Sequence, residues 1–147
     1  MYFSIIIAAF NARNTIESCL NSVWLQKQKD YELIVIDGNS SDGTQEYLES
    51  VAAKIDYLVS EPDTGVYNAW NKAIKLAKGE WICFVGADDE LASPFVLERV
   101  ASVLKNKVRY EKYVYGSINV VNRRGAILEQ LGDPWEKVRE TFKSIHC

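Results

Sequence analysis

The chain alternates short, continuous apolar runs with segments in which apolar residues recur every three or four positions. The apolar runs have the length and the Ile and Val content of parallel strands buried on both faces, and they occupy residues 3–9, 32–36, 55–59 and 81–85. The helical periodicity that follows them predicts helices beginning near residues 14, 42, 66 and 93. Repeated strand–helix units predict an α/β fold, an open and mostly parallel sheet with helices on both faces.

Local signals predict where these helices begin and end. Asn14 followed by Glu17 predicts a capping box for the first helix. The third helix is expected over residues 66–78, with Gly79 as the residue that ends it. Ser93 as N-cap and Pro94 as the first helical residue open the fourth helix.

The C-terminal part of the chain follows a different pattern. Residues 113–121 and 126–130, joined by a turn at 122–125, predict a hairpin or a pair of edge strands. Residues 134–142 predict a last short helix. With no linker or internal repeat visible, we predict a single domain over residues 1–147.

The composition excludes several classes of protein. Of the 147 residues, 48% are hydrophobic and 25% are charged, which excludes a disordered or collagen-like chain. The formal net charge of −3 leaves no overall positive field for nucleic acid, so we expect no nucleic-acid partner. The odd number of widely spaced cysteines (Cys19, Cys83 and Cys147) indicates free thiols in a reducing compartment.

No targeting or membrane-spanning segment is predicted. The first ten residues are apolar, but they lack a basic segment and are too short to span a bilayer, so we interpret them as a buried strand. We therefore expect a cytoplasmic location.

Acidic residues follow three of the four predicted strands. In an open parallel sheet, ligands bind beyond the carboxyl ends of the strands, and the aspartates at those ends are Asp37, Asp42, Asp63, Asp88 and Asp89. Asp42 and Asp63 have a competing interpretation as turn and helix-capping residues. The adjacent carboxylates of Asp88 and Asp89 repel each other unless a cation lies nearby, so this pair predicts a metal site.

Two phosphate-binding motifs can be excluded. Residues 38–43 have the spacing of a P-loop, but Thr44 and Gln45 stand where Lys and Ser or Thr are required. The loop after the first strand contains no glycine, so the dinucleotide fingerprint is absent as well. The sequence therefore supports neither an ATPase nor a nicotinamide-dependent enzyme.

Four sequence blocks stand in order along the chain: SIIIAAFN at 4–11, ELIVIDGNSSDGT at 32–44, GVYNAWNKA at 65–73 and GEWICFVGADD at 79–89. Their content and order resemble family 2 glycosyltransferases with a GT-A fold. The resemblance covers about residues 3–100 and implies a nucleotide-sugar-binding core there, with the start of an acceptor-side region over 101–147. Each block alone is weak, and their combination carries the resemblance.

The resemblance implies roles for ten residues. The nucleobase pocket would be lined, mostly through backbone groups, by Ala8, Ala9 and Asn11, with Asp37 bonded to the base or ribose. Expected near the diphosphate and the donor sugar are Asp63, Gly65, Asn71 and Lys72, although a solvated helix charge is an equal interpretation of Lys72. Asp88 and Asp89 are expected to hold Mg²⁺ or Mn²⁺, which neutralises charge on the departing diphosphate.

Departures from the family pattern shape the expected function. Gly86 stands where the first acid of the Asp-x-Asp element is usual, and Gly38 stands where a second acid after strand two is usual. The catalytic base is expected beyond residue 147, so the resemblance implies a chain truncated at its C-terminus. The predicted activity is metal-assisted, inverting transfer of a sugar from a nucleotide-sugar, first of all a UDP-sugar, to a glycan, lipid or polysaccharide acceptor.

Two alternatives and one partner hypothesis accompany this prediction. The chain could be a non-catalytic nucleotide-sugar-binding module, or a sugar nucleotidyltransferase, although residues 8–13 lack the glycine-rich basic loop that the latter needs. Trp135 and Phe142, with basic neighbours on the last predicted helix, suggest peripheral contact with the inner face of a membrane, where lipid-linked acceptors reside.

Overall fold

A computed structural model describes residues 1–107, 116–122 and 124–132 of the chain. The chain divides into two compact units, residues 1–107 and 108–147. The single domain expected from the sequence stays a prediction. The last predicted helix, at 134–142, lies outside the described residues.

The first unit is an α/β unit with a parallel four-stranded sheet. Its elements are β1 (Phe3–Ala9), α1 (Ile16–Trp24), β2 (Tyr31–Asp37), α2 (Thr44–Ser50), a short 3-10 helix (Ala52–Lys54), β3 (Tyr57–Ser60), α3 (Val66–Leu76), β4 (Trp81–Gly86) and α4 (Val96–Lys107). All four strands predicted from the apolar runs are present, and they form three parallel pairs in the order β3-β2-β1-β4. The predicted fold class is therefore confirmed.

The second unit contains an antiparallel pair of strands. β5 (Ile118–Val121) pairs with β6 (Ile127–Leu131), with a register irregularity between Val120 and Val121. This pair confirms the predicted hairpin over the described part of that segment.

The order of the strands determines where a ligand can bind. β1 lies inside the sheet and is fully buried over Ile5, Ile6 and Ile7, as expected for a strand covered on both faces. The chain first adds β2 and β3 on one side of β1 and then returns to place β4 on the other side. The strand order therefore reverses between β1 and β4, and in such sheets ligands usually bind at the carboxyl ends of the strands on either side of that reversal.

The amino ends of the strands are joined by a buried carboxylate. Glu32 is 1% exposed and accepts hydrogen bonds from the Ser4 hydroxyl at 2.6 Å and from the backbone N–H groups of Lys78 and Gly79 at 2.5 and 3.2 Å. Burial raises the pKa of Glu32, but these hydrogen bonds outweigh it and hold the pKa below its usual value. The ionised side chain of Glu32 thereby connects β2 by hydrogen bonds to β1 and to the segment before β4.

The prediction that Gly79 is the residue that ends the third helix is wrong. The helix ends at Leu76, and its C-cap Ala77 is already extended. A Cβ on Gly79 would lie 2.4 Å from the backbone nitrogen of Ser4. Gly79 is therefore needed because the chain passes directly against β1, a contact that no local signal reports.

The expected starts of α1 and α4 are also wrong by one or two residues. α1 begins at Ile16 with Thr15 as N-cap, and no side chain caps it in the part of the chain that the structure describes. The N–H groups of Thr15 and Ile16 instead bond to the carbonyl of Ala12, which forms a turn before the helix. α4 begins at Val96, after the predicted Ser93 and Pro94.

Candidate functional site

The loops that follow β1 and β2 are fastened together by hydrogen bonds. The backbone N–H of Asn11 donates to the Ser40 hydroxyl at 2.8 Å, and the Asn11 side-chain oxygen accepts from the N–H of Ser41 at 3.0 Å. Asn11 has a left-handed backbone with φ of 50°, a conformation that asparagine tolerates better than most residues. Asn11 therefore shapes the β1 loop in addition to lying at the predicted pocket.

A second pair of bonds continues this connection. The N–H of Ala12 donates to the Thr44 hydroxyl at 2.9 Å, and the N–H of Arg13 donates to the Asp42 carboxylate at 3.0 Å. Hydrogen bonds from the Thr44 side chain and from the Arg13 N–H hold the pKa of Asp42 below its usual value. Asp42 is thus a turn and loop-joining residue, as its competing interpretation proposed.

Asp37 is buried rather than displayed to solvent. Its carboxylate is 0% exposed and accepts hydrogen bonds from the Ser40 N–H at 3.0 Å, from the Ser40 hydroxyl, and from the Ser60 hydroxyl at 2.7 Å. In this arrangement Asp37 joins the ends of β2 and β3 and orients Ser40, which in turn holds Asn11. A direct bond from Asp37 to a base or ribose stays a prediction.

An exposed aromatic ring lies beside these loops. Phe10 follows β1 directly and is 67% exposed. A Cβ built on Gly38 would lie 3.2 Å from the Phe10 ring and 2.9 Å from the Asp63 carboxylate. The missing side chain at Gly38 lets loops from β1, β2 and β3 meet. Phe10 stands between Ala9 and Asn11, in the loop expected to line the nucleobase pocket, although the resemblance implies no separate role for its ring.

The residues expected near a diphosphate occupy the loop after β3 (Asp63 and Gly65) and the middle of α3 (Asn71 and Lys72). The Asp63 carboxylate accepts the N–H of Gly65 at 2.8 Å, so its turn-forming role is also present. Gly65 adopts φ of 117°, which favours glycine, and Asn71 is exposed. Lys72 donates to Glu61 at 2.9 Å and to the Pro62 carbonyl at 3.1 Å, so it pairs with the β3 loop.

Asp88 and Asp89 are exposed and converge at the end of β4. The N–H of Asp89 donates to the Gly86 carbonyl at 3.0 Å, which turns the chain back on itself. A Cβ on Gly86 would lie 2.7 Å from the Asp89 carboxylate and 2.9 Å from the Asp88 carboxylate. The two acids therefore share the space that a side chain at Gly86 would occupy.

This pair fits a hard divalent cation. Mg²⁺ is commonly held by one or two carboxylates together with substrate phosphates and water. Across residues 1–107, 116–122 and 124–132, no group of three or more possible metal ligands is found. A cation held here would therefore take part of its coordination from a bound substrate.

Ala8 and Ala9 are the last two residues of β1, at the carboxyl end of the strand. Ala8 is half-buried and Ala9 is 3% exposed, so they offer backbone groups and little side-chain surface. Among the helices that the structure describes, none has the length and apolar character to cross a bilayer. The aromatic residues behind the membrane hypothesis, Trp135 and Phe142, lie outside the described residues.

Comparison with known proteins agrees with this architecture. The sequence model of the family described as "Glycosyl transferase family 2" matches residues 4–144. The "PGL/p-HBAD biosynthesis glycosyltransferase" of Mycobacterium bovis (strain BCG / Pasteur 1173P2) is 37% identical over 119 residues, which cover 79% of this chain and 46% of that protein.

A second relative and a solved structure extend the comparison. The Escherichia coli "UDP-Glc:alpha-D-GlcNAc-diphosphoundecaprenol beta-1,3-glucosyltransferase WfgD" is 32% identical over 125 residues, covering 84% of this chain and 48% of that protein. The structure of mannosyltransferase PcManGT from Pyrobaculum calidifontis, in complex with GDP-Man and Mn²⁺, has a TM-score of 0.63 at 26% identity and covers 82% of this chain and 35% of that one. The chain spans about half the length of the curated relatives it matches.

Proposed function

The chain belongs to glycosyl transferase family 2, and from that premise we propose that it forms the nucleotide-sugar site of a sugar-transferring enzyme. The site lies at the carboxyl ends of β1 to β4. The observation that carries the proposal is the convergence of Asp88 and Asp89 over Gly86, beside the point where the strand order reverses. The acceptor would be a glycan, a lipid-linked sugar or a polysaccharide.

The nucleoside end of the donor would lie on the joined loops of β1 and β2. Phe10 offers an exposed ring on which a base can stack, and Ala8, Ala9 and Asn11 offer backbone groups. The bonds from Ser40 keep these loops at a set separation before the donor arrives. UDP is the proposed nucleotide, supported by the donor in the name of the 32% identical relative.

The diphosphate end would lie between Asp63 and the Asp88–Asp89 pair, and the carboxylates of Asp88 and Asp89 would hold Mg²⁺ or Mn²⁺. When bound, the cation neutralises negative charge on the departing diphosphate. Lys72 adds positive charge nearby while remaining fastened to Glu61. A Mn²⁺ complex of the structural neighbour PcManGT supports the choice of ion.

The proposed transfer proceeds with inversion at the anomeric carbon. The acceptor hydroxyl attacks on the face opposite the diphosphate, a base removes its proton, and the bond between sugar and diphosphate breaks. We assign no residue of this chain to the base. The described residues orient the donor, and that positioning is their contribution to the rate.

Calorimetric titration of UDP tests the donor site. We expect binding that requires Mn²⁺, that is lost in EDTA, and that Asp88→Asn weakens by roughly tenfold or more. Glu90→Gln is the matched control, because Glu90 is an exposed acid adjacent to Asp89 that is not among the atoms crowding Gly86. Equal binding in Asp88→Asn, Glu90→Gln and the unmodified chain would exclude the proposed metal site. GDP, run in parallel, tests the choice of nucleotide.

A non-catalytic nucleotide-sugar-binding module is the second candidate. It is favoured by Gly86, which stands where the first acid of the family's Asp-x-Asp element is usual, so that one carboxylate of this element is missing. The two functions differ in turnover, because only the enzyme releases UDP from a UDP-sugar. Metal-dependent UDP binding with no release of UDP from any UDP-sugar, with or without acceptors, would favour the module.

A further inference from the structure

The loop that carries Asp88 and Asp89 is held at both ends by side chains of α1. At its start, the Cys19 thiol donates to the Gly86 carbonyl at 3.3 Å. At its end, the Ser22 hydroxyl accepts the N–H of Leu91 at 3.0 Å. The Ser22 hydroxyl also donates to the Cys19 carbonyl at 2.7 Å, so its own orientation is set by the helix.

Gln26 extends this attachment to the start of α4. Its side-chain nitrogen donates to the carbonyls of Ser22 and Ser93 at 3.0 and 2.8 Å, and its side-chain oxygen accepts the N–H of Leu97 at 3.1 Å. One amide thereby satisfies a carbonyl at the end of α1 and an N–H in the first turn of α4, groups that a helix leaves without internal partners.

The three anchoring side chains share one side of the helix and its C-terminal extension. Cys19, Ser22 and Gln26 are spaced by three and four residues, which places them in one row. They are 0%, 9% and 0% exposed, whereas Asn21 on the same helix is exposed. Burial, followed by the charges of nearby acids, raises the pKa of Cys19 to about 12, so its thiol keeps the proton that it donates.

We propose that Cys19, Ser22 and Gln26 are positioning residues that hold Asp88 and Asp89 together and thereby set the affinity of the site for a divalent cation. The inference rests on the proposed function of that carboxylate pair. The two acids are adjacent in sequence and repel each other when ionised. Anchors at Gly86 and Leu91 limit how far the intervening residues can separate. The loop therefore loses less conformational entropy when the cation binds.

The test compares Ser22→Ala with Ser22→Thr and Asn21→Ala in the full 147-residue chain. Ser22→Ala removes the anchor of Leu91, Ser22→Thr keeps a hydroxyl there, and Asn21→Ala is the control on the exposed side. Mn²⁺ affinity is measured by electron paramagnetic resonance of free Mn²⁺ in the presence of UDP. Thermal unfolding of each variant gives the folded fraction, and each Mn²⁺ affinity is calculated for the folded molecules alone.

We expect Ser22→Ala to weaken Mn²⁺ binding roughly tenfold, with recovery in Ser22→Thr and no change in Asn21→Ala. Amide exchange at Leu91 should accelerate in Ser22→Ala alone, while exchange over residues 40–44 stays the same. Gln26→Leu, which removes the three amide bonds, should weaken Mn²⁺ binding in the same direction.

Two negative results have different meanings. A lower melting temperature with unchanged Mn²⁺ affinity of folded Ser22→Ala and Gln26→Leu would overturn the inference, because the bonds would then serve stability alone. If the unmodified chain binds no Mn²⁺ in the presence of UDP, the proposed metal role of Asp88 and Asp89 is wrong, and this inference is overturned with it.

Discussion

Ser40→Ala is the substitution that most directly tests the arrangement of the β1 and β2 loops. The Ser40 side chain is 7% exposed and connects two groups at once. Its hydroxyl donates to the buried Asp37 carboxylate and accepts the backbone N–H of Asn11 at 2.8 Å. Alanine removes both bonds while changing the volume by little more than one oxygen.

The expected cost follows from the two bonds. A hydrogen bond to a charged group contributes about 1.5–3 kcal/mol, and a neutral one contributes about 0.5–1.5 kcal/mol. Asp37 keeps the Ser40 N–H at 3.0 Å and the Ser60 hydroxyl at 2.7 Å, so its charge stays partly compensated. We therefore expect the free energy of unfolding to fall by about 3 kcal/mol, near the middle of the summed range.

Urea unfolding followed by circular dichroism measures this loss, and Ser41→Ala is the matched control. Ser41 is the neighbouring serine, its side chain is exposed, and it contacts Asn11 through its backbone N–H, which alanine retains. The control should change stability by less than about 0.5 kcal/mol. We also expect the folded fraction of Ser40→Ala to bind UDP more weakly, because the Asn11 loop loses its attachment.

A loss below about 1 kcal/mol in Ser40→Ala, or a loss equal to that of Ser41→Ala, would refute this reasoning. It would mean that the Asp37 carboxylate does not depend on the Ser40 hydroxyl. A Ser40→Ala variant that is clearly destabilised but binds UDP with unchanged affinity would support the role of Ser40 in stability and contradict its role in UDP binding. The bonds would then stabilise the fold without shaping the donor site.

Three further predictions concern positions away from these loops. Gly79→Ala places a Cβ 2.4 Å from the backbone nitrogen of Ser4, so urea titration should show a loss of about 3 kcal/mol, whereas Gly116→Ala, which has open space, should be neutral. Burial raises the pKa of Glu32, but the hydrogen bonds to its carboxylate outweigh burial, so the pKa is lowered in the folded chain. The ionised Glu32 therefore stabilises the fold above about pH 4.3, and this stabilisation is lost as the pH falls through the lowered pKa. Between about pH 6 and about pH 3, urea midpoints of the unmodified chain should therefore fall more steeply than those of Glu32→Gln. A pKa of about 12 instead of 9.0 lowers the thiolate fraction of Cys19 about a thousandfold. Because the thiolate is the form that reacts, alkylation of Cys19 at about pH 8, followed by mass spectrometry, should be slower by at least that factor in the native chain than in the unfolded chain.

Each of these predictions has an outcome that contradicts it. A stable Gly79→Ala variant would show that the chain does not pass against β1 as described. Parallel pH curves for Glu32→Gln and the unmodified chain would show that the ionised carboxylate does not contribute to stability. Alkylation of native Cys19 at the rate of the unfolded chain would show that its thiol is accessible and ionisable.

The α/β class, the four parallel strands and the acidic strand ends could all be predicted from the sequence. These features depend on short-range patterns: a buried strand such as β1 is a continuous apolar run, and a helix such as α3 repeats its apolar residues every three or four positions. The four blocks whose combination carried the family resemblance are short stretches of sequence of the same kind. Predictions of helix ends were less successful: α1 begins after a turn whose N–H groups bond to Thr44 and Asp42, and local sequence signals do not record such contacts between distant residues.

The tertiary structure alone decided which distant residues share a bond, because these contacts depend on how the strands and helices pack. Gly79 bonds to the Ser4 side chain across 75 positions, and Cys19 reaches the Gly86 carbonyl across 67. Local periodicity carries no record of either contact. The sequence by itself determined the elements and the acids that belong at one end of the sheet. Packing decided that Asp37 is buried, that Asp88 and Asp89 converge over Gly86, and that α1 holds their loop.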